Sequence, residues 1–352
     1  MSQHEVTRRE FVQNTAAAVA GAAVGAGLSG APSDAAAAPP DPTKTRSFHQ
    51  NMEYRRLGRT GLMLSAVSMG GHWKRIPYQQ GSEDFKKNRR EVMAAALDHG
   101  INYIDACWSG EVKVYAEALG NRRKDIYFGF DWTLGRDPNI AGSLARMKQG
   151  LDDGLREAGL DEVDVWRVTI REQATRNTAQ EIETIIAALD WGKKTGKARF
   201  TGISTHHRPW IAEAIAKYPQ LEVIITPYSA GSREKPVGSM FDAIRKYDVG
   251  LIGIKPFAGG TLFQSQGTPD SPSKEEDDQR ARMALRYVLC CDVLTCAIPG
   301  LITVDQVRNA AAAVKERRQF DLVEARRYEE LTRHMWADLP HDYRWLREWQ
   351  WV

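Results

Sequence analysis

The chain has 352 residues, 42% of them hydrophobic and 26% charged, a composition that suits one large globular domain. Its net charge of +3 is small and spread along the chain, with no basic block interleaved with aromatics, which argues against nucleic acid as a partner. The four cysteines (Cys107, Cys290, Cys291 and Cys296) lack metal-ligand spacing, so Cys290 and Cys291 read as small buried hydrophobes on a helix, and the disulfide status of Cys290, Cys291 and Cys296 stays open.

From the N-terminus, residues 1–38 read as an export signal. Thr7-Arg8-Arg9-Glu10-Phe11-Val12 is a twin-arginine motif, followed by an Ala/Gly/Val run from Asn14 to Gly30 with no acidic residue and then by small residues up to Pro39-Pro40. The apolar run is weakly hydrophobic and short for a membrane span, so no stable insertion is expected once the signal is removed. The expected location is periplasmic or extracellular. Residues 39–52 read as a Pro-rich linker.

From residue 54 onward, short apolar or β-branched runs alternate with amphipathic helical stretches, the pattern of a parallel sheet with crossover helices. Eight strands are predicted: Leu64–Met69, Ile101–Ile104, Ile126–Phe130, Val163–Val168, Ala198–Ile203, Val223–Thr226, Gly250–Ile254 and Leu294–Ile298. Helices are predicted between and after them over Asp84–His99, Ile140–Ala158, Ala179–Thr195, Arg208–Lys217, Met240–Tyr247, Lys274–Val288 and Thr303–Lys315. Eight such units in about 260 residues fit an α/β fold of the closed (β/α)8 TIM-barrel type. The stretch 52–63 reads as an N-terminal β-hairpin around Gly58 that plugs the barrel floor. No Gly-x-Gly-x-x-Gly follows the first strand, which disfavours an open doubly wound sheet. The barrel is expected over 53–318, and residues 319–352 form a C-terminal aromatic tail with Trp336, Tyr343, Trp345, Trp349 and Trp351.

Five motifs in register resemble those of the aldo-keto reductase family. Tyr54-Arg55-Arg56-Leu57-Gly58-Arg59-Thr60-Gly61-Leu62 is similar to its opening hairpin, and Gly100-Ile101-Asn102-Tyr103-Ile104-Asp105 to its second strand with the catalytic aspartate. Gly196–Ser204 resembles its fifth strand. Ile254-Lys255-Pro256-Phe257-Ala258-Gly259-Gly260 and Ala297-Ile298-Pro299-Gly300 resemble the loops after strands seven and eight. The resemblance implies an oxidoreductase that uses NADP or NAD on a carbonyl compound. It also implies a tetrad of Asp, Tyr, Lys and His in which the tyrosine hydroxyl hands a proton to the carbonyl. Only the aspartate is matched, by Asp105. The tyrosine position falls on Gly110, the lysine position on Asp131 and the histidine position on Thr169. A shifted alignment brings Tyr115 or Trp108 near the tyrosine position instead.

For the cofactor, the resemblance places Trp73, Ser204, Tyr228, Lys255, Gly259 and Gly300 around a dinucleotide. Tyr228 would stack on a ring, and Lys255 with the N–H groups of Ala258 to Gly260 would hold the pyrophosphate. The Arg and Asn that grip the adenosine phosphate in the family map to Gln306 and Ala310, so NADP's extra phosphate has the least support. The iron–sulfur branch's terminal Cys cluster is absent.

The strand ends at the C-terminal face point into a barrel's site. Here they carry His72, Trp73, Asp105, Trp108, Glu111, Asp131, Trp132, Arg167, Thr169, Arg171, Glu172, His206, His207, Tyr228 and Lys255. Asp105 and Asp131 read as a carboxylate pair in which repulsion raises one pKa, or as members of a buried ion network with Arg167 or Lys113. His206 and His207 offer a group that titrates near neutral pH, or a helix cap, and with a carboxylate a metal site. Asp105, Asp131 and His206 are the candidate catalytic residues, with no metal assigned. The aromatic tail reads as a lid over a small-molecule pocket suited to sugar rings, or as packing on the barrel exterior. Two other readings stay open: a cofactor-independent lyase, isomerase or hydrolase using Asp105 and Asp131, and a non-catalytic exported binding barrel. The oligomeric state is not legible.

Overall fold

The computed structural model describes residues 40–70, 75–133, 140–170, 177–265, 271–348 and 351. The region read as an export signal, residues 1–38, therefore lies outside the described residues. Eight parallel strands make the barrel: β3 (Met69–Gly70), β4 (Tyr103–Ala106), β5 (Tyr127–Thr133), β6 (Val163–Thr169), β7 (Ala198–Ser204), β8 (Val223–Pro227), β9 (Gly250–Ile254) and β10 (Leu294–Ile298). They neighbour one another in sequence order. The ring closes where Ala297 N–H donates to Ala66 O at 2.9 Å and Ser68 N–H to Ala297 O at 3.0 Å. Helices return the chain over the outside: α1 (Glu83–Asp98), α2 (Ser109–Leu119), α3 (Leu144–Ala158), α4 (Ala179–Lys194), α5 (Arg208–Lys217), α6 (Met240–Tyr247), α7 (Lys274–Val288) and α8 (Val304–Lys315).

The expected hairpin is present, with β1 (Tyr54–Arg56) antiparallel to β2 (Met63–Ser65). The single strand expected over Leu64–Met69 is therefore two: its first residues belong to the hairpin, and only Met69–Gly70 pairs in the barrel. Leu57 seals the floor, and a Cβ on Gly58 (φ +47°) would strike the Val249–Gly250 backbone, so the plug docks only with glycine there.

Alternation along the strands sorts the side chains into two layers. Tyr103, Val165, Val223, Ile225, Ile252 and Cys296 fill the barrel interior with Leu57, Leu62 and Leu64. Their alternates, such as Ile104, Trp166, Val168 and Ile224, face the helices. Trp166, fully buried, lies edge-on to Trp191 of α4, a helix opened by a capping box between Thr178 and Glu181.

Two expected boundaries move. Of the residues read as a linker, 40–44 are exposed, but the later ones are tied to the barrel: Arg46 pairs with buried Asp164 at 3.1 Å, Thr45 Oγ1 donates to Met63 O at 2.6 Å, and Met52 is buried. The tail begins with a true helix, α9 (Leu322–Ala337), opened by a capping box between Asp321 and Glu324. It builds a second core from Tyr328, Leu331, Met335 and Trp336 with Ala258, Leu262 and Met283. A four-residue helix, α10 (Trp345–Glu348), follows. No helix among the described residues is long and apolar enough to cross a membrane.

Candidate functional site

A cleft of about 1110 Å³ opens at the C-terminal ends of the strands. It runs from Asp105, Asp131 and Arg167, past Ser204, His206 and Lys255, to Gly259, Gly300, Gln306 and Asn309. Asp105, Ser204, Lys255, Gly259 and Gly300 are thus brought together as expected. Trp73, like His72, Arg171 and Glu172, lies outside the described residues.

The reacting end is an ion triad set by strand register. Asp105, Asp131 and Arg167 occupy inward-facing positions of β4, β5 and β6, with Asp131 directly beside Arg167. The Arg167 guanidinium grips Asp105 with two parallel bonds (Nε–Oδ1 2.9 Å, Nη2–Oδ2 2.6 Å) and reaches Asp131 Oδ2 at 3.0 Å through Nη1. Thr169 adds its N–H (2.9 Å) and hydroxyl (2.6 Å) to Asp131, and itself accepts from Arg167 Nη1 at 3.1 Å. All three charged side chains are buried. The two carboxylates hold the Arg167 guanidinium pKa well above its ordinary value against the penalty of burial.

This arrangement corrects the carboxylate-pair reading. Arg167 lies between Asp105 and Asp131 and pairs with both, the arrangement of the buried ion network rather than of a free carboxylate pair. Lys113, the other suggested partner, instead lies 4.0 Å from Glu117 on the surface of α2. The Tyr115 alternative also fails. That side chain is fully buried edge-on to Phe128, in the layer facing the helices. Trp108 does line the cleft and keeps 42% of its surface exposed. Glu111, a rim candidate, is buried and accepts the Cys107 N–H at 2.6 Å, bracing the turn after Asp105. Burial pushes the Cys107 thiol well above its usual pKa, so it stays protonated. All four cysteines are free thiols.

His206 reaches the cleft but does not titrate near neutrality. Burial foremost, then the Lys255 and Arg208 cations, push its pKa well below the ordinary 6.5, which keeps the imidazole neutral. Trp345 of the tail stacks on it at 4.1 Å and 14° between planes. His207 occupies the N-cap position of α5 without a side-chain cap bond. Among the described residues no group of His, Cys, Asp or Glu is placed to hold a metal ion.

Tyr228 points away from the cleft. Val223 and Ile225 of β8 face the barrel interior, so Tyr228 falls on the opposite parity, and its ring packs 6.0 Å from Phe241 of α6. It cannot stack on a bound ring.

At the other end, the backbone after β9 is strained. Lys255 (φ +58°) and Ala258 (φ +47°) hold left-handed conformations despite carrying side chains, as do Gly259 (+71°) and Gly260 (+96°). The expected cradle of N–H groups is partly used inside this turn, because Ala258 N–H donates to Lys255 O (3.0 Å) and Gly260 N–H to Phe257 O (2.8 Å). Charge for an anion there must come largely from side chains. The cleft also contains contributors that motif reading did not single out: Arg75, Lys274, Asp277 and Asn309. No motif marks these: Lys274 and Asp277 lie within the charged run that opens α7, Asn309 on α8, and Arg75 in a loop. The length of the cleft, its strained glycine turn and its cations fit a dinucleotide.

The tail closes over this end. Tyr343 and Trp345 stack on each other with centroids 6.3 Å apart, the Tyr343 ring lies where a Cβ of Gly259 would meet it at 3.0 Å, and Lys255 Nζ sits 5.7 Å over Trp345.

Comparison with known proteins agrees with this geometry. The family model described as "Aldo/keto reductase family" matches residues 66–332, past the barrel end expected at 318. L-galactose dehydrogenase of Arabidopsis thaliana is 24% identical over 299 residues, covering 75% of this chain and 89% of that protein. A probable voltage-gated potassium channel subunit beta of Oryza sativa subsp. japonica is 28% identical over 231 residues, covering 60% of this chain and 66% of that one. Among solved structures, an aldo-keto reductase from Klebsiella pneumoniae in complex with NADPH superposes with a TM-score of 0.61 at 18% identity, covering 80% of this chain and 95% of that one. A family match over most of the chain, on a barrel whose cleft begins at Asp105, means that the chain belongs to the aldo/keto reductase family.

Proposed function

We propose that this protein is a nicotinamide-dependent oxidoreductase, using NADP or NAD on a sugar or other small carbonyl compound, with a divergent tetrad. The observation that carries the reading is one continuous cleft that joins Asp105 to Ser204, Lys255, Gly259 and Gly300. The named activity of L-galactose dehydrogenase and the NADPH in the Klebsiella structure support it. When bound, the nicotinamide supplies the hydride. Lys255 and the strained turn hold the dinucleotide's phosphates, and Ser204 faces its reacting half. With Gly110, Asp131 and Thr169 at the tyrosine, lysine and histidine positions, the proton is handled differently from the family pattern. The triad's donors and acceptors are occupied by one another, so it fixes the shape of the pocket floor. His206, neutral, orients the substrate oxygen by hydrogen bonding as an uncharged imidazole does. Trp108 offers a flat apolar face for a sugar ring, and the tail excludes water.

The test is to denature the purified protein, identify any released nucleotide by mass spectrometry, and assay oxidation of NADPH and NADH with aldoses and other aldehydes. Turnover with either nucleotide supports the reading. Absence of both bound nucleotide and turnover would contradict it.

We further propose export by the twin-arginine route to the periplasm or beyond, on the strength of Arg8-Arg9 and the apolar run behind them. Folding before export lets a cofactor travel inside the barrel. Cell fractionation checks this: the Arg8→Lys/Arg9→Lys variant should stay in the cytoplasm, and equal export of both proteins would refute it.

A further inference from the structure

Reduction of a carbonyl needs a proton for the oxygen as well as a hydride for the carbon, and Gly110, at the tyrosine position, has no side chain to give one. Trp108 takes up that space: a Cβ on Gly110 would meet its indole nitrogen at 2.9 Å. The proton must come from another donor in the cleft. A useful donor stays protonated at working pH and touches a cation that stabilises the base it leaves behind.

Among the described residues that line the cleft, most donors miss one of these conditions. Thr169 touches Arg167, but its hydroxyl proton goes to Asp131 at 2.6 Å. The Ser204 hydroxyl and the neutral His206 are weaker acids than a thiol. Lys255 extends over Trp345, and Tyr343 lies against Gly259, both toward the nucleotide end. Cys107 meets both conditions. It follows Asp105 by two residues, lines the cleft, and its Sγ accepts from Arg167 Nη2 at 3.7 Å. Glu111 takes its N–H at 2.6 Å and fixes its backbone. The same Nη2 grips Asp105 at 2.6 Å, so thiol, guanidinium and carboxylate form one chain of acid, cation and counter-charge. Burial keeps the thiol protonated, while Arg167 works in the other direction and favours the thiolate.

We infer that Cys107 is the proton donor of this site, a catalytic thiol supported by Arg167 where no tyrosine remains. The inference rests on the nicotinamide reading above. The carbonyl carbon takes the hydride, with its electron pair, from the reduced nicotinamide, which is oxidised. The carbonyl oxygen takes the proton from Cys107 Sγ, so that an S–H bond breaks and an O–H bond forms. The step runs downhill because an alkoxide is far more basic than a thiolate, and water then reprotonates the sulfur beside Arg167.

The test compares the parent, Cys107→Ala and Cys107→Ser in oxidation of NADPH and NADH with aldoses and other aldehydes, alongside nucleotide affinity from tryptophan fluorescence. Cys107→Ala loses kcat by about a hundredfold or more with its nucleotide affinity unchanged, and Cys107→Ser, a weaker acid, falls between. The second readout is labelling of Cys107 by iodoacetamide across pH in the nucleotide-free protein, followed by mass spectrometry. Since the protonated thiol is the acting form, kcat/KM of the parent declines where labelling sets in, and Cys107→Ser lacks that decline. If Cys107→Ala loses nucleotide affinity, Cys107→Ser and the labelling decide. Parent-like kcat in Cys107→Ala, or full kcat/KM at a pH where Cys107 is already labelled, overturns the assignment and leaves the nicotinamide reading intact. If the parent turns over no aldehyde with either nucleotide, that reading fails and the assignment fails with it.

Discussion

At the β4–β6 end of the cleft, Arg167 is locked by Asp105, Asp131 and Thr169 in bonds of 2.6–3.1 Å. At the β9 end, Arg75 rests on one carbonyl at 3.3 Å over a turn of left-handed residues. The first is a closed network whose partners satisfy one another. The second is strained backbone beneath one guanidinium held by a single long bond, an arrangement that gains most from an arriving anion. The contrast divides the labour: shape is fixed at the reacting end, and binding energy is available at the nucleotide end.

The largest expected effect falls on the locked end. Arg167→Met leaves two buried carboxylates without their cation and should destabilise the fold by about 3–5 kcal/mol in urea unfolding. Adding Asp131→Asn should recover part of that loss. A neutral Arg167→Met would mean that the triad is not the network described here.

Gly260→Ala comes next, at about 1–3 kcal/mol, from a Cβ placed on a residue held at a φ of +96°. Unchanged unfolding in that variant would remove the strained seat from the account.

The pH dependence is smaller and its sign is fixed. His206 is held neutral in the fold, so the unfolded chain binds the extra proton below the ordinary pKa of 6.5. Its contribution is fully present above that pH and is lost as pH falls below it, with a slope of at most about 1.4 kcal/mol per pH unit. Parallel acid limbs in the parent and His206→Asn would contradict this. The smallest change is expected from Trp345→Ala. Uncovering His206 should move its titration up toward the ordinary value, as read by NMR of the ring protons, with little change in stability. An unmoved titration would assign the shift to burial by the barrel itself, with Lys255 and Arg208, rather than to the tail.

Much of the barrel was legible because its strands are short β-branched runs bounded by glycine and turn residues. Gly250–Ile254 and Leu294–Ile298 match residue for residue. The first strand differs because nothing in Leu64-Ser65-Ala66-Val67-Ser68-Met69 marks a break, whereas hydrogen bonding divides it between the floor hairpin and the barrel. α9 was hidden by the tail's aromatic residues, although Leu331, Met335 and Trp336 recur at helical spacing. In the site, Asp105 was found by resemblance, but Arg167's double attachment spans β5 and joins residues far apart in sequence, which no local pattern reports. Tyr228 could have been placed correctly: period-2 alternation from Val223 and Ile225 already puts it on the helix side. Arg75 carries no local signal, because the carbonyl it contacts lies almost two hundred residues away.

The central claim, that the cleft is built for a nicotinamide dinucleotide, is tested most directly by titrating the parent protein with NADPH and NADH and following tryptophan fluorescence. The account predicts saturable binding at micromolar concentration with quenching, since Trp108 lines the cleft and Trp345 covers it. No binding of either nucleotide up to millimolar concentration would contradict it.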